Sequence, residues 1–435
     1  MGCCQYFTPT EGGADAFTVE MPRLTFGRGV LNEVGERARA CGISHAAIFT
    51  DPYLAGSEHL AQARASLDAA SIDYAVYSEV RIEPTDRSVL AAADFLKDGN
   101  FDGVVSVGGG SVIDTAKGGM VYALYPSSFS TYFPPPAGDG QPVPGRVLPH
   151  LACPTTSGTG SEVTGLSVIL FESLHTKFVL GSRYILPDEA IIDPACTATL
   201  PSMVVASSGL DLLSHAIECY TARAYTRWAK VAAPGARPMI QGANPWSDLH
   251  AREALRIVGE YLERGVTDAS DHEARDNLSW AASLAGMAFG NCGTHLPHAL
   301  SYAVSQGARD FQAKGYPAQP SFVPHGISVI VNSPSVFRYT AQTAPERHLE
   351  AAQCLGADTR DAVPADAGEV VAVRIISLMR ATGIPNGIGG VGLTREDASE
   401  LAQSAIRQRR AIGNAPRDTG LAEITRIFEG AVNYW

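Results

Sequence analysis

The chain has 435 residues, which is too long for one ordinary hydrophobic core, so two or three domains are expected. Hydrophobic residues make up 45% of it and charged residues 18%, a balance that is typical of globular proteins and excludes wholesale disorder. The net charge of −12 argues against a nucleic-acid partner, because phosphate binding needs a clustered basic surface.

The cysteines and the N-terminus bear on cellular location. No two of the eight cysteines form a CxxC pair, and a chain of this size needs no disulfides, so reduced thiols in a cytosolic setting are expected. The start, MGCCQYFTP, lacks the charged and apolar regions of a secretory signal. The longest apolar run, 281–289, is about half a membrane span. These features predict a soluble, cytoplasmic protein without a membrane partner.

The first 200 residues alternate short β-branched segments with helical patterns. Strands are predicted at AAIFT, YAVYS, DGVVSV and HLACP (46–50, 74–78, 102–107 and 150–154). Helices are predicted between them at 88–99 and 111–124. Three more strand segments follow, SVILF, KFVLG and EAIID (167–171, 177–181 and 189–193). Strands separated by helices indicate parallel βαβ units, and hence an α/β, doubly wound, Rossmann-like nucleotide-binding domain.

The pattern changes after Leu200. Helical periodicity dominates from there to the C-terminus, interrupted by a long loop at 222–246 that is rich in glycine and proline. We therefore predict an α/β domain over 1–200 and an all-helical domain over 201–435. Ligands commonly bind between two such domains, so a cleft between them is the expected site.

The segment VSVGGGSVIDTAK (105–117) is a predicted strand that leads into three glycines, a serine and a helix. Glycines at such a point allow backbone N–H groups to approach a phosphate, and a helix N-terminus favours negative charge. The segment is neither GxGxxG nor a Walker A loop, since no GK[ST] follows. The alternative is a tight strand-to-helix turn that simply requires glycine.

A second strand end carries CPTTSGTGSEVT (153–164), a dense group of hydroxyls and glycines. These hydroxyls either bond the pyrophosphate or ribose of a cofactor or satisfy one another within a capped loop. Two such loops in one α/β domain favour a dinucleotide over a single phosphate.

Asp51 follows the first predicted strand of the βα units. A carboxylate at that place can accept hydrogen bonds from a ribose 2′-OH and repel a 2′-phosphate, which favours NAD over NADP. The alternative role of Asp51 is a helix N-cap. Glu83, in RIEPTD, would add a second negative charge if it lay near the ribose.

One aspartate and four histidines of the helical half are candidate metal ligands. Asp211 and His215 lie four residues apart, so they share one face of a predicted helix. His295 and His298 share a face of another helix, and His325 follows a proline in VPHGISVIV. Each histidine alone is more typical of a structural residue, but all of them lie in the same half of the chain. One carboxylate with imidazoles and no thiolate suits Fe²⁺ or Zn²⁺ rather than Mg²⁺ or Ca²⁺.

These segments together resemble one family. GGGSVIDTAK, PTTSGTGSEVT, the Asp211–His215 pair and FVPHG are similar, in order and spacing, to the motifs of the group III metal-dependent (iron-type) alcohol dehydrogenases. RIEPTD, MIQGANPWSDLHAREALRIV and HLPHALSYAVS further resemble the hydroxyacid–oxoacid transhydrogenase branch of that family. The resemblance thins after about residue 365, and no site residue is assigned there.

The resemblance implies the following site residues. Many family members have a histidine near the nicotinamide at the position of Tyr302, so Tyr302 or a chain of water molecules would relay the proton here. His295 would neighbour the metal ligands without being one of them. The implied ligands of Fe²⁺, with Zn²⁺ as the alternative ion, are Asp211, His215, His298 and His325. The implied contacts of NAD are Asp51, Gly109, Gly110, Ser111, Asp114, Thr155, Thr156, Thr159, Thr164 and Lys177.

The resemblance also implies a reaction and an assembly. The chain would be an NAD-dependent oxidoreductase that transfers hydride between NAD and an alcohol or a hydroxy acid similar to 4-hydroxybutyrate. The alternative is a transhydrogenase that keeps NAD bound and passes hydride from 4-hydroxybutyrate to 2-oxoglutarate. A non-catalytic binding protein is a third alternative, against which the complete ligand set argues. A homodimer or larger homo-oligomer is expected.

Overall fold

The structure of the protein is a computed structural model. The chain divides into two compact units. The described residues are Tyr6, Thr8, 10–316 and 322–435. One unit is an α/β unit over Glu20–Ala198, and the other is a helical unit that combines Met1–Val19 with Thr199–Trp435.

The N-terminal segment belongs to the helical unit, which differs from the predicted division into 1–200 and 201–435. The hydroxyl of Tyr6 donates to Asp248 Oδ2 at 2.8 Å. Thr18 and Gln241 form two hydrogen bonds, from Thr18 N to Oε1 at 2.9 Å and from Nε2 to Thr18 O at 2.8 Å. These partners are more than 200 positions apart, so no local pattern could have placed the segment.

Eight strands define the α/β unit. They are β1 (Arg23–Phe26), β2 (His45–Phe49), β3 (Asp73–Tyr77), β4 (Gly103–Gly108), β5 (His150–Pro154), β6 (Leu166–Phe171), β7 (Thr176–Gly181) and β8 (Glu189–Ile192). Six of them form one parallel sheet in the order β3-β2-β4-β5-β8-β1. Strands β6 and β7 pair with each other, antiparallel, in a separate two-stranded sheet.

Helices connect the parallel strands. They are α1 (Val34–Ala40), α2 (Glu58–Ala69), α3 (Asp86–Gly99) and α4 (Gly110–Leu124). Thr85 begins α3 with a capping box, in which its hydroxyl accepts from Ser88 N at 3.2 Å. The predicted α/β, doubly wound architecture is therefore confirmed by the strand order and by the helical crossovers.

The strand order brings three loops together at one edge of the sheet. From β2 the chain first adds β3 on one side and then returns to add β4 on the other side, so β2 and β4 flank a topological switch point. Parallel strands end at the same edge, and ligands of open α/β sheets bind there, at the switch point. Asp51 follows β2, Gly109 follows β4 and Thr155 follows β5, so these loops are neighbours.

The second unit is built from helices. They are α5 (Ser202–Thr221), α6 (Pro245–Thr267), α7 (His272–Cys292), α8 (Leu296–Gly307), α9 (His325–Ile330), α10 (Ser333–Thr340), α11 (Pro345–Cys354), α12 (Ala367–Ala381), α13 (Ala398–Ala405), α14 (Arg409–Gly413) and α15 (Leu421–Gly430). Helix α5 packs against α6, α7 and α9 and is buried over most of its length. No helix within the described residues is long and apolar enough to span a membrane.

A buried lysine ties α4 to the loop after β5. Lys117 is fully buried, and its Nζ donates to the carbonyl oxygens of Ser161 at 2.6 Å, Thr164 at 2.6 Å and Leu166 at 2.9 Å. Burial lowers the pKa of Lys117 to about 8, although the charge of nearby Asp114 opposes this shift. The three carbonyl groups have no such donor if the ammonium is removed, and unmade buried hydrogen bonds are costly.

We expect the substitution Lys117→Met to lower the free energy of unfolding by about 3 kcal/mol. It leaves three buried carbonyl groups without their donor and leaves buried Asp114 without a positive charge beside it. Urea unfolding followed by circular dichroism measures this loss. Lys97→Met is the matched control: Lys97 is a half-exposed lysine of α3 and should change stability by less than about 0.5 kcal/mol. Equal urea midpoints for the two variants would contradict the assigned role of Lys117.

Candidate metal centre and nucleotide-binding loops

One face of α5 carries three ionisable side chains. Asp211, His215 and Glu218 follow one another at spacings of four and three residues, which places them on one side of a helix. All three are buried, Glu218 completely. A charged group is rarely buried without partners, so this face of α5 requires compensating groups from other helices.

Two further helices bring histidines to Asp211. His298 lies in the first turn of α8, and His325 is the first residue of α9. Asp211 Oδ1 is 3.4 Å from His298 Nε2 and 3.8 Å from His325 Nε2. One donor atom from each of the three residues lies within 4.8 Å of the others. The structure thus brings together three of the four ligands that the sequence predicted.

Glycine allows α9 to approach α5 closely enough for this. A Cβ atom at Gly326 would lie 1.9 Å from the carbonyl oxygen of Ser207 and 3.0 Å from Cβ of Asp211. Any larger residue would push α9 away from α5 and withdraw His325 from Asp211. The pattern Pro-His-Gly in the sequence therefore has a steric reason.

His215 lies beside the group rather than within it. Its ring is stacked on that of His298, with centroids 4.5 Å apart, and on Phe289 of α7, at 4.1 Å. The group of mutually close donor atoms contains Asp211, His298 and His325 but not His215. The role of His215 as a fourth ligand stays a prediction.

Glu218 was not among the residues predicted from the sequence. Its Oε1 is hydrogen-bonded to His298 Nδ1 at 2.6 Å, and its Oε2 accepts from the backbone N–H of His295 at 2.6 Å. The available signal was the seven-residue spacing from Asp211, which puts both carboxylates on one helix face.

His295 is engaged elsewhere. Its Nε2 is hydrogen-bonded to Thr221 Oγ1 at 3.0 Å, and its Nδ1 accepts from Leu296 N at 2.7 Å. Burial holds the pKa of His295 well below its usual value. Both ring nitrogens are therefore used for structure, and the group of close donor atoms does not include His295.

The electrostatics of the group follow from its burial. Burial would raise the pKa of Asp211, but the surrounding histidines His215, His325 and His298 outweigh it and hold that pKa well below its usual range. Burial would lower the pKa of His298, but the carboxylates of Glu218 and Asp211 raise it to about 10. The carboxylate charge and the imidazoles therefore stabilise each other.

The donor set fits a metal ion. Within the described residues, Asp211 Oδ1 and His298 Nε2 are buried and make no hydrogen bond, although they lie only 3.4 Å apart. Buried polar atoms that converge without bonding are unusual and need a further partner. One carboxylate and imidazole nitrogens are donors that suit Fe²⁺ or Zn²⁺.

Tyr302 lies close to this group. It is on α8, one turn after His298, and is buried. Its ring stacks on that of His325 with centroids 6.1 Å apart and an interplanar angle of 13°. The structure thus places Tyr302 beside a candidate ligand.

The two glycine and hydroxyl loops of the α/β unit pack against each other. A Cβ atom at Gly109 would lie 3.2 Å from the Thr156 side chain, and one at Gly110 would lie 2.7 Å from that of Thr159. Gly109 is the N-cap of α4 and has no side chain with which to cap the helix. The start of α4 therefore packs closely against these threonines, and the first N–H groups of a helix favour negative charge such as that of a phosphate.

The other predicted NAD contacts are held within the protein. Asp51 Oδ1 accepts from the N–H groups of Tyr53 and Leu54 in the turn after β2, but the N-cap of α2 is Ser57, so Asp51 is not the helix N-cap given above as the alternative. Asp114 accepts from Ser161 Oγ and Val168 N.

Lys177 pairs with Glu83 at 2.5 Å, so the negative charge of Glu83 is compensated rather than added to that of Asp51. Ser111 Oγ accepts from Glu83 N at 3.1 Å. Thr155 is buried, its N–H donating to Gly108 O, and Thr164 Oγ1 is 3.5 Å from Ser161 O.

The chain matches two family models. The model of iron-containing alcohol dehydrogenases matches residues 22–194, and the model of the C-terminal region of the Fe-containing alcohol dehydrogenase family matches residues 238–432. The chain therefore belongs to the iron-containing alcohol dehydrogenase family. The predicted class, an NAD-dependent oxidoreductase, is confirmed by this membership.

Individual relatives narrow the assignment. The chain is 40% identical over 422 residues to a mitochondrial hydroxyacid–oxoacid transhydrogenase of Bos taurus, covering 97% of this chain and 91% of the relative. It belongs to that branch of the family. Among solved structures, 1,3-propanediol oxidoreductase has a TM-score of 0.83 at 28% identity, covering 96% of this chain and 100% of the other. The sulfoacetaldehyde reductase of Bifidobacterium kashiwanohense, solved in complex with NAD⁺, has a TM-score of 0.77 at 26% identity, covering 96% and 99%.

The predicted cytoplasmic location is wrong by the same comparison. The bovine protein and other relatives of similar identity are named as mitochondrial proteins. The prediction rested on scattered cysteines and on the absence of a secretory signal, and neither feature distinguishes the cytoplasm from another reducing compartment.

We expect His298→Ala to purify without bound metal, because the substitution removes one donor and leaves Asp211 with fewer compensating partners. Metal content is measured by atomic emission after loading with Fe²⁺ or Zn²⁺ and removal of the excess. His272→Ala is the control, since His272 is exposed at the start of α7 and far in sequence from the group. Stoichiometric metal in His298→Ala would contradict the assignment of His298.

Proposed function

We propose that the protein is a metal-dependent hydroxyacid–oxoacid transhydrogenase. It passes hydride from 4-hydroxybutyrate to NAD and then from NADH to 2-oxoglutarate, with one nicotinamide serving both half-reactions. The observation that carries the proposal is the buried group of Asp211, His298 and His325, whose donor atoms converge. The name of the bovine relative supports the choice of a transhydrogenase.

The proposed metal ligands are Asp211, His298 and His325, with His215 as the fourth. Fe²⁺ is the implied ion and Zn²⁺ the alternative. When bound, the ion supplies a Lewis acid that lowers the pKa of the substrate hydroxyl in one direction and polarises the carbonyl in the other. The chain itself orients these donors. Asp211 lies on the buried helix α5, and Gly326 allows α9, which carries His325, to pack directly against α5.

The proposed NAD site is the edge of the sheet at the switch point. Gly109 and Gly110 leave backbone N–H groups at the start of α4 open to the pyrophosphate, and Thr156 and Thr159 lie next to them. Asp51 follows β2 at the same edge, and we propose it as the partner of the ribose. The remaining proposed contacts are Ser111, Asp114, Thr155, Thr164 and Lys177.

The proposed proton relay uses Tyr302 or a chain of water molecules. The phenol ring of Tyr302 stacks on His325, so the ring is oriented by a residue of α9. A phenol can both donate and accept a hydrogen bond, which a relay requires. The proposed assembly is a homodimer or larger homo-oligomer.

A substrate carboxylate needs local positive charge, because the net charge of the protein is −12. The sequence offers four candidate arginines: Arg183, Arg223, Arg227 and Arg237. Arg183 pairs with Glu20 at 3.2 Å and Arg223 with Asp418 at 2.5 Å, and the charge of Arg237 acts on Asp15.

We expect 4-hydroxybutyrate alone to reduce no more NAD than the enzyme holds, and 2-oxoglutarate to restart turnover, because the second substrate must re-oxidise the bound cofactor. Absorbance of NADH follows the first step, and chromatography detects succinate semialdehyde and 2-hydroxyglutarate. NADH that accumulates in proportion to added NAD would instead identify a dehydrogenase with freely exchanging cofactor. Absence of turnover in a metal-loaded protein would favour a binding protein.

We expect Gly110→Ala to weaken binding of NADH by at least about tenfold, because the added Cβ atom enters the space between α4 and Thr159. Fluorescence titration with NADH measures the affinity. Gly56→Ala is the control, since a Cβ atom there meets nothing within 4 Å. Unchanged affinity in Gly110→Ala would remove this loop from the proposed NAD site.

A further inference from the structure

Glu218 contacts two groups of the segment that begins α8, one on His295 and one on His298. One carboxylate oxygen lies 2.6 Å from His298 Nδ1, and the other lies 2.6 Å from the backbone N of His295. The side chain is fully buried, so water does not compete for either oxygen. Both oxygens are therefore committed to the segment that carries a candidate metal ligand.

The chemistry of the two donors defines where protons lie. The backbone N–H of His295 can only donate, so Glu218 Oε2 must accept from it. The 2.6 Å contact places His298 Nδ1 against a carboxylate oxygen, so the proton of the neutral ring belongs on Nδ1, where it can be donated to Oε1. A histidine binds a metal only as a neutral ring, and in that state the lone pair of His298 is on Nε2, the nitrogen that faces Asp211 Oδ1 at 3.4 Å.

His295 shows that the arrangement is specific to His298. Its Nδ1 accepts from Leu296 N, so its proton must lie on Nε2, where it is bonded to Thr221 Oγ1. Two histidines three residues apart are thus held in opposite tautomers by different partners. Both ring nitrogens of His295 are engaged by Leu296 and Thr221, whereas Nε2 of His298 faces Asp211.

We propose that Glu218 is a positioning residue for the metal site, which fixes the tautomer and the ring orientation of His298. Metal-ligating histidines generally donate their second ring N–H to a carboxylate or a carbonyl group, and this partner raises metal affinity. The inference rests on the metal site proposed above. It goes beyond that site by assigning a role to a residue that is not itself a ligand.

The substitution Glu218→Gln separates this role from a merely structural one. Glutamine has the same shape but only one acceptor oxygen. If that oxygen keeps its bond to the backbone N–H of His295, the amide NH₂ faces His298 Nδ1 and forces the proton onto Nε2. The segment before α8 then stays in place, while the nitrogen that faces Asp211 is blocked by hydrogen.

We expect Glu218→Gln to keep the thermal midpoint of the metal-free wild-type chain and to bind Zn²⁺ about 10- to 100-fold more weakly. Zinc affinity is measured by competition with a chromogenic chelator, on the full chain. Thr221→Val is the matched control: it removes the acceptor of His295 on the same helix without touching His298, and it should leave zinc affinity close to the wild-type value. Glu218→Asp, which keeps a carboxylate, should recover part of the lost affinity.

Equal zinc affinity of Glu218→Gln and wild type would overturn the inference, and so would an equal loss in Thr221→Val. A second measurement is made on the wild-type protein and does not require that Glu218→Gln folds. In zinc-loaded wild-type protein labelled with ¹⁵N-histidine, long-range ¹H–¹⁵N spectra should show His298 protonated on Nδ1. The signal of His298 is assigned by its absence from the spectrum of His298→Ala, and protonation on Nε2 would overturn the proposal. Failure of the wild-type chain to bind zinc would instead refute the proposed metal site itself.

Discussion

The helical unit depends on the burial of two carboxylates on one helix. Asp211 and Glu218 lie on the same face of α5, which is packed on several sides by other helices. An isolated buried carboxylate costs several kcal/mol, and only close partners offset that cost. His298 and His325 supply those partners, and each comes from a different helix. The ionic group on α5 thus also determines how α8 and α9 must pack.

In the α/β unit, the packing of two loops depends on steric fit. Two loops follow neighbouring strands, and they can approach only because Gly109 and Gly110 lack side chains where Thr156 and Thr159 lie. Buried Lys117 and Asp114 then hold the second loop against α4 through hydrogen bonds to its backbone and to Ser161. Glycine creates the space at the helix N-terminus, and the buried charged pair keeps the surrounding loop in position.

The parts of the structure that depend on local pattern were predictable from the sequence. Strands β2 to β5 and helices α3 and α4 have strong periodicity, and the structure contains them with bounds that differ by at most two residues. The edge strand β1 has four residues with no buried face, so its composition gives no signal. The N-terminal segment and the partners of Glu218 depend on contacts between distant positions, and a single sequence carries no information about such contacts.

The two histidines of THLPHALSY show why residue type and spacing stop short of function. His295 and His298 are three residues apart, and their partners on α5, Thr221 and Glu218, are also three residues apart. The two segments therefore match pair by pair, a hydroxyl with one ring and a carboxylate with the other. The N–H of Leu296 and the hydroxyl of Thr221 use both ring nitrogens of His295, whereas the carboxylate of Glu218 engages only Nδ1 of His298 and leaves Nε2 facing Asp211. The partner that makes His298 a candidate ligand thus lies on α5, 80 positions earlier in the chain.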